Sequence, residues 1–164
     1  MRIDLPVPTL VVPPFVGGAK HRSVVQWNEA GDEFLYVFQR PDQVFSANAR
    51  MHYMARATKT RNWRSASGEL SRFVGRLEGR WYVQCSLPFR VAAARRDPHN
   101  FTSTVCKAVI DGMTDDRLPD GTVIERVWPD DTPEFIHMAD PICRVVRRPD
   151  HLLVGVHGWR FDDG

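Results

Sequence analysis

Two short acidic stretches hold the residue types best suited to chemistry: Asp97-Pro98-His99-Asn100 and Trp128-Pro129-Asp130-Asp131. Carboxylate oxygens gathered in a compact, rigid place hold hard divalent cations such as Mg2+ or Mn2+, which assist the cutting of phosphodiester bonds. The candidate metal ligands are therefore Asp97, His99, Asp130 and Asp131. If Asp97 and His99 lie on an extended segment, their alternation puts both on one side. Between the stretches, a helix would bring Asn100, Ser103/Thr104, Lys107 and Asp111 onto one polar side, Lys107 one turn from Asp111 and two from Asn100. An ammonium beside carboxylates can neutralise charge building on a cleaved phosphate. Each stretch also has a plainer reading. Asp97 before Pro98 is the pattern of a helix N-cap followed by proline at the first helical position. Asp130-Asp131 between prolines is also a solvated turn, and Lys107 with Asp111 is also an ordinary intrahelical ion pair.

The net charge of +2 conceals an uneven distribution. Up to Arg96 there are 15 Lys+Arg against 7 Asp+Glu, a balance of +8; from Asp97 onward the counts are 7 and 13, a balance of −6. In the basic part Arg50, Arg56, Lys59, Arg61, Arg64, Arg72, Arg76 and Arg80 face only Glu69 and Glu78. A basic surface beside an acidic cluster suits a phosphodiester nuclease, in which cations hold the backbone and carboxylates serve the bond to be cut. A solvated helix face with acidic loops has the same composition.

The elements that must position these residues follow from the pattern. Ser23–Trp27 and Glu33–Phe38 flank Asn28-Glu-Ala-Gly-Asp32, a hairpin signature. Phe45-Ser-Ala-Asn48 offers helix-capping residues, and from about Met51 to Leu77 an apolar stripe recurs at helical spacing: Trp63, Ala66, Leu70, Phe73/Val74 and Leu77. Gly68 weakens that helix and is a candidate break. Trp81–Val91 alternates as a strand does, and a second helix is predicted from near Phe101 to Met113 on the stripe Phe101, Val105, Ala108/Val109 and Gly112. Val123–Trp128, Glu134–Val146 and His151–Val156 read as strands, the last two joined through Arg147-Arg-Pro-Asp150 as a closing hairpin. The expectation is a single α+β domain with a small sheet and two main helices. Within it, residues 1–44 form an extended segment and hairpin preceding a core of 45–164. At 164 residues the chain can bury a core without staples, and Cys85, Cys106 and Cys143 read as reduced core thiols of a cytoplasmic protein. No apolar run approaches the roughly 20 residues of a membrane span, and the N-terminus does not read as a signal peptide.

Ser46-x-Asn48, Arg50-Met-His-Tyr, Thr60-Arg-Asn-Trp-Arg64, Arg95-Arg-Asp-Pro-His-Asn100, Lys107 with Asp111-Gly-Met113, and Val127-Trp-Pro-Asp-Asp131 together resemble the RusA-like Holliday junction endonucleases, typically encoded by phages and prophages. The resemblance spans about Phe45 to Val146. It implies a homodimer with a mixed α+β fold that binds four-way DNA junctions and nicks opposing strands symmetrically with Mg2+ or Mn2+, inside a bacterial host cell. By position it makes Asp97, Lys107 and Asp131 catalytic, with Asp97 and Asp131 matching the family's metal-binding aspartates and Asn100 and Asp111 in support. It gives DNA contact to Ser46, Asn48, Arg50, Lys59, Arg61, Arg64, Arg95 and Arg96. Two departures stand out: His99 occupies the place of the family's second aspartate, and Lys107 lies further from Asn100 than the family's lysine does. Imidazole is a softer ligand than carboxylate, which favours manganese. A non-catalytic branched-DNA-binding protein of the same fold is the competing expectation.

Overall fold

The computed structural model describes residues 8–13, 23–90, 97–146 and 152–161. The Asn28–Asp32 turn, with Gly31 at φ 72°, closes β1 (Ser23–Trp27) onto β2 (Glu33–Gln39) in antiparallel register, Val25 opposite Tyr36. Asn28 stabilises that turn by accepting from the Asp32 and Glu33 amides at 3.1 Å each. The long central strands are β3 (Arg80–Phe89) and β8 (Leu153–Phe161), and β8 lies antiparallel between β2 and β3. On its other side β3 pairs in parallel with two short strands in succession, β6 (Ile136–Met138) and β7 (Ile142–Val145). The order is thus β1-β2-β8-β3-β6, with β7 beside the far end of β3. A separate two-residue pair, β4 (Asp116–Arg117) and β5 (Val123–Ile124), forms a small ribbon.

Alternation along the strands decides what each sheet face covers. Phe34, Tyr36 and Phe38 of β2 join Val83, Cys85 and Leu87 of β3 and Val154 and Val156 of β8 in the main core. Leu35 and Val37 point the other way, to a smaller cluster with Leu153, Leu10 and Val12. The main core is roofed by α1 (Tyr53–Ser71) and by a helix that starts as α2 (His99–Phe101), widens into one π turn (Thr102–Cys106) and finishes as α3 (Lys107–Met113). Trp63, Val105, Val109 and Met113 are wholly buried in it. The two helices approach closely at small residues. Ser67 Oγ donates to the Val109 carbonyl at 2.7 Å, and a Cβ on Gly112 would lie against the Arg64 carbonyl oxygen and only 3.0 Å from the Gly68 nitrogen. Backbone cannot yield as a flexible side chain can, so Gly112→Ala is expected to cost about 1–3 kcal/mol of stability, measured by urea unfolding.

The architecture is α+β, as the pattern predicts, but several elements differ in detail. Gly68 does not break α1; its missing side chain admits Arg126, whose Nη1 donates to the Gly112 carbonyl at 3.0 Å. The helix instead ends at Ser71, ahead of Gly75 at φ 81°, which leaves Phe73 exposed while Val74 is buried. At its start the expected caps Ser46 and Asn48 sit in a preceding turn, and His52 Nδ1 accepts from the Met54 amide at 3.2 Å. The 123–128 stretch is a strand over two residues only. The closing hairpin is not formed: β7 and β8 flank β3 on opposite sides, so they are not partners. The Arg147–Asp150 turn lies outside the described residues, as does most of the 1–20 segment.

Two buried titratable groups have consequences. Cys106 is pushed well above the usual thiol range by its hydrogen bond with Cys85 and by burial, which leaves it unreactive. His157 is buried and stacks at 5.5 Å on Trp159; burial lowers its affinity for a proton, Arg144 lowers it further and Glu33 opposes both. The unfolded chain binds that proton more readily, so stability is present above the ordinary imidazole value near about 6.5 and is lost as pH falls below it. A His157→Phe variant should show a flatter midpoint-versus-pH curve on that acid side in thermal melts.

Candidate functional site

Asp131 is carried to its place by backbone pairing. The Val127 and Trp128 amides both donate to the Met113 carbonyl, at 3.0 and 3.2 Å, and the Asp115 amide donates back to the Trp128 carbonyl at 2.9 Å. With Val127 and Trp128 wholly buried, this anchors the 128–131 turn against the end of α3. Lys107 on the solvent side of α3 then reaches two carboxylates: its Nζ donates to Asp111 at 2.7 Å and also to Asp131. Asp130 Oδ1 accepts from the Asp131 amide at 2.8 Å, stiffening the turn. Partial burial alone would lower the Lys107 value, but the bonds to Asp111 and Asp131 and their charges prevail and raise it. The same bond, aided by the charge on Lys107, holds the Asp131 carboxyl below the usual carboxylate range. The ammonium is therefore kept protonated and the carboxylate ionised.

A second polar group lies at the other end of this helix. His99 is its first residue, so the extended segment on which alternation would put it beside Asp97 is not formed, and its amide donates to Asp97 Oδ1 at 3.1 Å. Asp97 thus acts as a capping acceptor, the plainer of its two readings. The exposed His99 ring has Nδ1 3.3 Å from Asp140 Oδ1, which also accepts from Thr102 Oγ1 at 2.9 Å. Asp140 was not among the predicted site residues; it falls in the 134–146 run expected to be a strand, which divides into β6 and β7. It is fixed from the sheet side by Gln84 Nε2, which donates to its carbonyl at 2.9 Å. The π turn rotates Thr104 inward, away from the polar side expected for it, and its hydroxyl donates to the Phe45 carbonyl at 2.7 Å. This widened turn takes up sequence between Asn100 and Lys107, as single-turn π bulges do.

Lys107 lies eight positions after His99, about 12 Å along a helix axis. The predicted residues therefore fall into two groups along the helix: Asp97 and His99, joined by Asp140, at one end, and Lys107, Asp111, Asp130 and Asp131 at the other. Among the described residues no three of His, Cys, Asp or Glu stand together as a ligand set for one ion. The oxygens of Asp111 and Asp131 are of the hard type magnesium takes, and as arranged both accept from the Lys107 ammonium.

The expected DNA contacts are distributed around this helix. The Ala47 amide donates to the Asn100 carbonyl at 2.8 Å, and Asn48 Nδ2 lies 3.5 Å from Asn100 Oδ1, so the Ser46–Asn48 turn abuts the His99 end. Arg50 is exposed beyond it. On α1, Arg61 is exposed with no ion pair among the described residues, and Arg64 has only a 3.8 Å approach to Asp116. Lys59 differs: it is tied to Asp42 at 2.9 Å, which also accepts from Asn62. Arg95 and Arg96 lie outside the described residues. Comparison with known proteins gives no match, whether to a family model, a curated protein or a solved structure. No described helix is long and apolar enough to cross a membrane.

The double role of Asp97 makes one substitution informative. Asparagine caps a helix about as well as aspartate, so Asp97→Asn should leave thermal stability nearly unchanged. If the Asp97 charge serves DNA cutting, the same variant should lose cleavage of a four-way junction, read on a denaturing gel.

Proposed function

We propose that this chain is a DNA endonuclease of the RusA-like kind, a homodimer that binds four-way junctions and nicks opposing strands. The observation that supports this reading most is the meeting of segments far apart in sequence: Asn48 with Asn100 at one end of a single helix, and Lys107 with Asp131 at the other. These are the segments that carry the resemblance, and the basic face of α1 lies on the partner helix. In this reading Arg50, Arg61 and Arg64 hold phosphates, and the Lys107 ammonium turns from its carboxylates to offset charge developing on the cut phosphate. Dependence on Mg2+ or Mn2+ belongs to the same proposal, and an ion drawing on Asp131 must compete with Lys107 for its oxygens.

The test is incubation of the protein with a mobile four-way junction and either metal, with cut positions mapped on both strand pairs. Paired symmetric nicks are expected. The pairing of both Asp111 and Asp131 with Lys107 supports one second reading, a branched-DNA-binding protein that does not cut. Tight junction binding with no nicks under either metal would select it.

A further inference from the structure

Because β2 and β3 both run antiparallel to β8, they point the same way and end at the same edge of the sheet. Gln39, the last residue of β2, is opposite Leu153 at the start of β8, and β3 ends level with that point on the other side. The next residue after each strand is an arginine, Arg40 and Arg90. With one strand between them, their strand axes stand roughly 10 Å apart. The Arg40 amide donates to the Leu152 carbonyl at 3.0 Å, which holds its backbone to the sheet end. Between the two arginines opens a cavity of about 430 Å³ lined by Arg40, Gln43, Val44, Phe89 and Arg90. Among the described residues no carboxylate lines it. Asp42, two residues from Arg40, pairs with Lys59 and Asn62. Burial, and then the charge of Arg90, work against the Arg40 cation, with Asp42 opposing them. Guanidinium stays charged in proteins, so two positive groups line one open cavity, and among the described residues no carboxylate forms an ion pair with either.

The geometry points to a phosphate-binding site formed by Arg40 and Arg90 at the shared end of β2 and β3. Guanidinium forks match phosphoryl oxygens in bidentate pairs. The largely buried Phe89 and the half-buried Val44 make an apolar wall that strengthens such pairs by excluding water. Gln43 contributes an amide to the rim. The site is separate from the Lys107 group and does not require the chain to be a nuclease. A backbone phosphate of DNA and a free phosphate offer the same chemistry, and two measurements tell them apart.

The full-length protein and the variants Arg40→Gln, Arg90→Gln and both together are melted with inorganic pyrophosphate, ionic strength being held constant with chloride. The wild-type midpoint should rise by roughly 3–6 °C at tenfold over half-saturation, and the double variant should not respond. Arg90 is exposed, so its single variant keeps the test sound if changes at Arg40 disturb folding. In the second arm, duplex DNA affinity is followed against salt. A slope shallower by roughly 2 in the double variant supports a DNA phosphate as occupant. An unchanged slope with a lost pyrophosphate response supports the site and gives it to a free phosphate. Equal midpoint rises in wild type and double variant, or no rise in either, overturn the proposal.

Discussion

On the proposed endonuclease reading, Asp131→Asn is expected to reduce junction cutting by at least about a hundredfold while junction affinity stays within about threefold. The substitution keeps the shape of the side chain and removes its charge. Lys107 still has Asp111 at 2.7 Å, and the turn is still fastened through Val127 and Trp128 to Met113, so the local fold has no reason to move. An exposed ion pair of this kind contributes only about 0–1 kcal/mol, so lost stability cannot account for lost activity. Cleavage rate and affinity measured on the same junction, with a melt as control, decide the matter. Cutting at the wild-type rate would take Asp131 out of the chemistry and leave the Lys107 cluster as a surface ion pair.

The second large effect concerns α1. Replacing Arg61 and Arg64 together with glutamine should weaken binding to junction and plain duplex alike, by about tenfold at physiological salt, and should make log affinity against log salt shallower by roughly 2. Among the described residues neither guanidinium has a close carboxylate that would already have consumed its charge; the approach of Arg64 to Asp116 is 3.8 Å. Phosphate contacts position a protein without reading bases, so any preferred cutting position should survive. Anisotropy titrations across a salt series measure this, and an unchanged slope would mean these arginines serve only to solvate the helix. Lys59 should matter less to DNA, because Asp42 holds it.

What could be read along the chain was the local periodicity. The Asn28–Asp32 turn signature showed the hairpin, alternation from Trp81 onward showed the central strand, and the stripe through Trp63 and Ala66 showed the long helix, because a residue's face is set by its own backbone repeat. The Asp-Pro pair marked the start of the second helix for a similarly local reason, the need of its first amides for an acceptor. Other features had no local signal. The 142–145 and 153–161 runs look equally strand-like whether they pair with each other or on either side of β3. The buried faces of β2, β3 and β8 decided that β8 goes between them. The same packing turned Thr104 inward through a π turn and brought Asp140 to His99 across 41 residues. It also placed Arg40 beside Arg90 and Asp131 beside Lys107. The sequence by itself determined which residues carry charge and which face of each element is apolar. Only the tertiary structure decided which polar groups meet, because that depends on how buried faces from distant segments close over one another and on which backbone amides and carbonyls must then find partners.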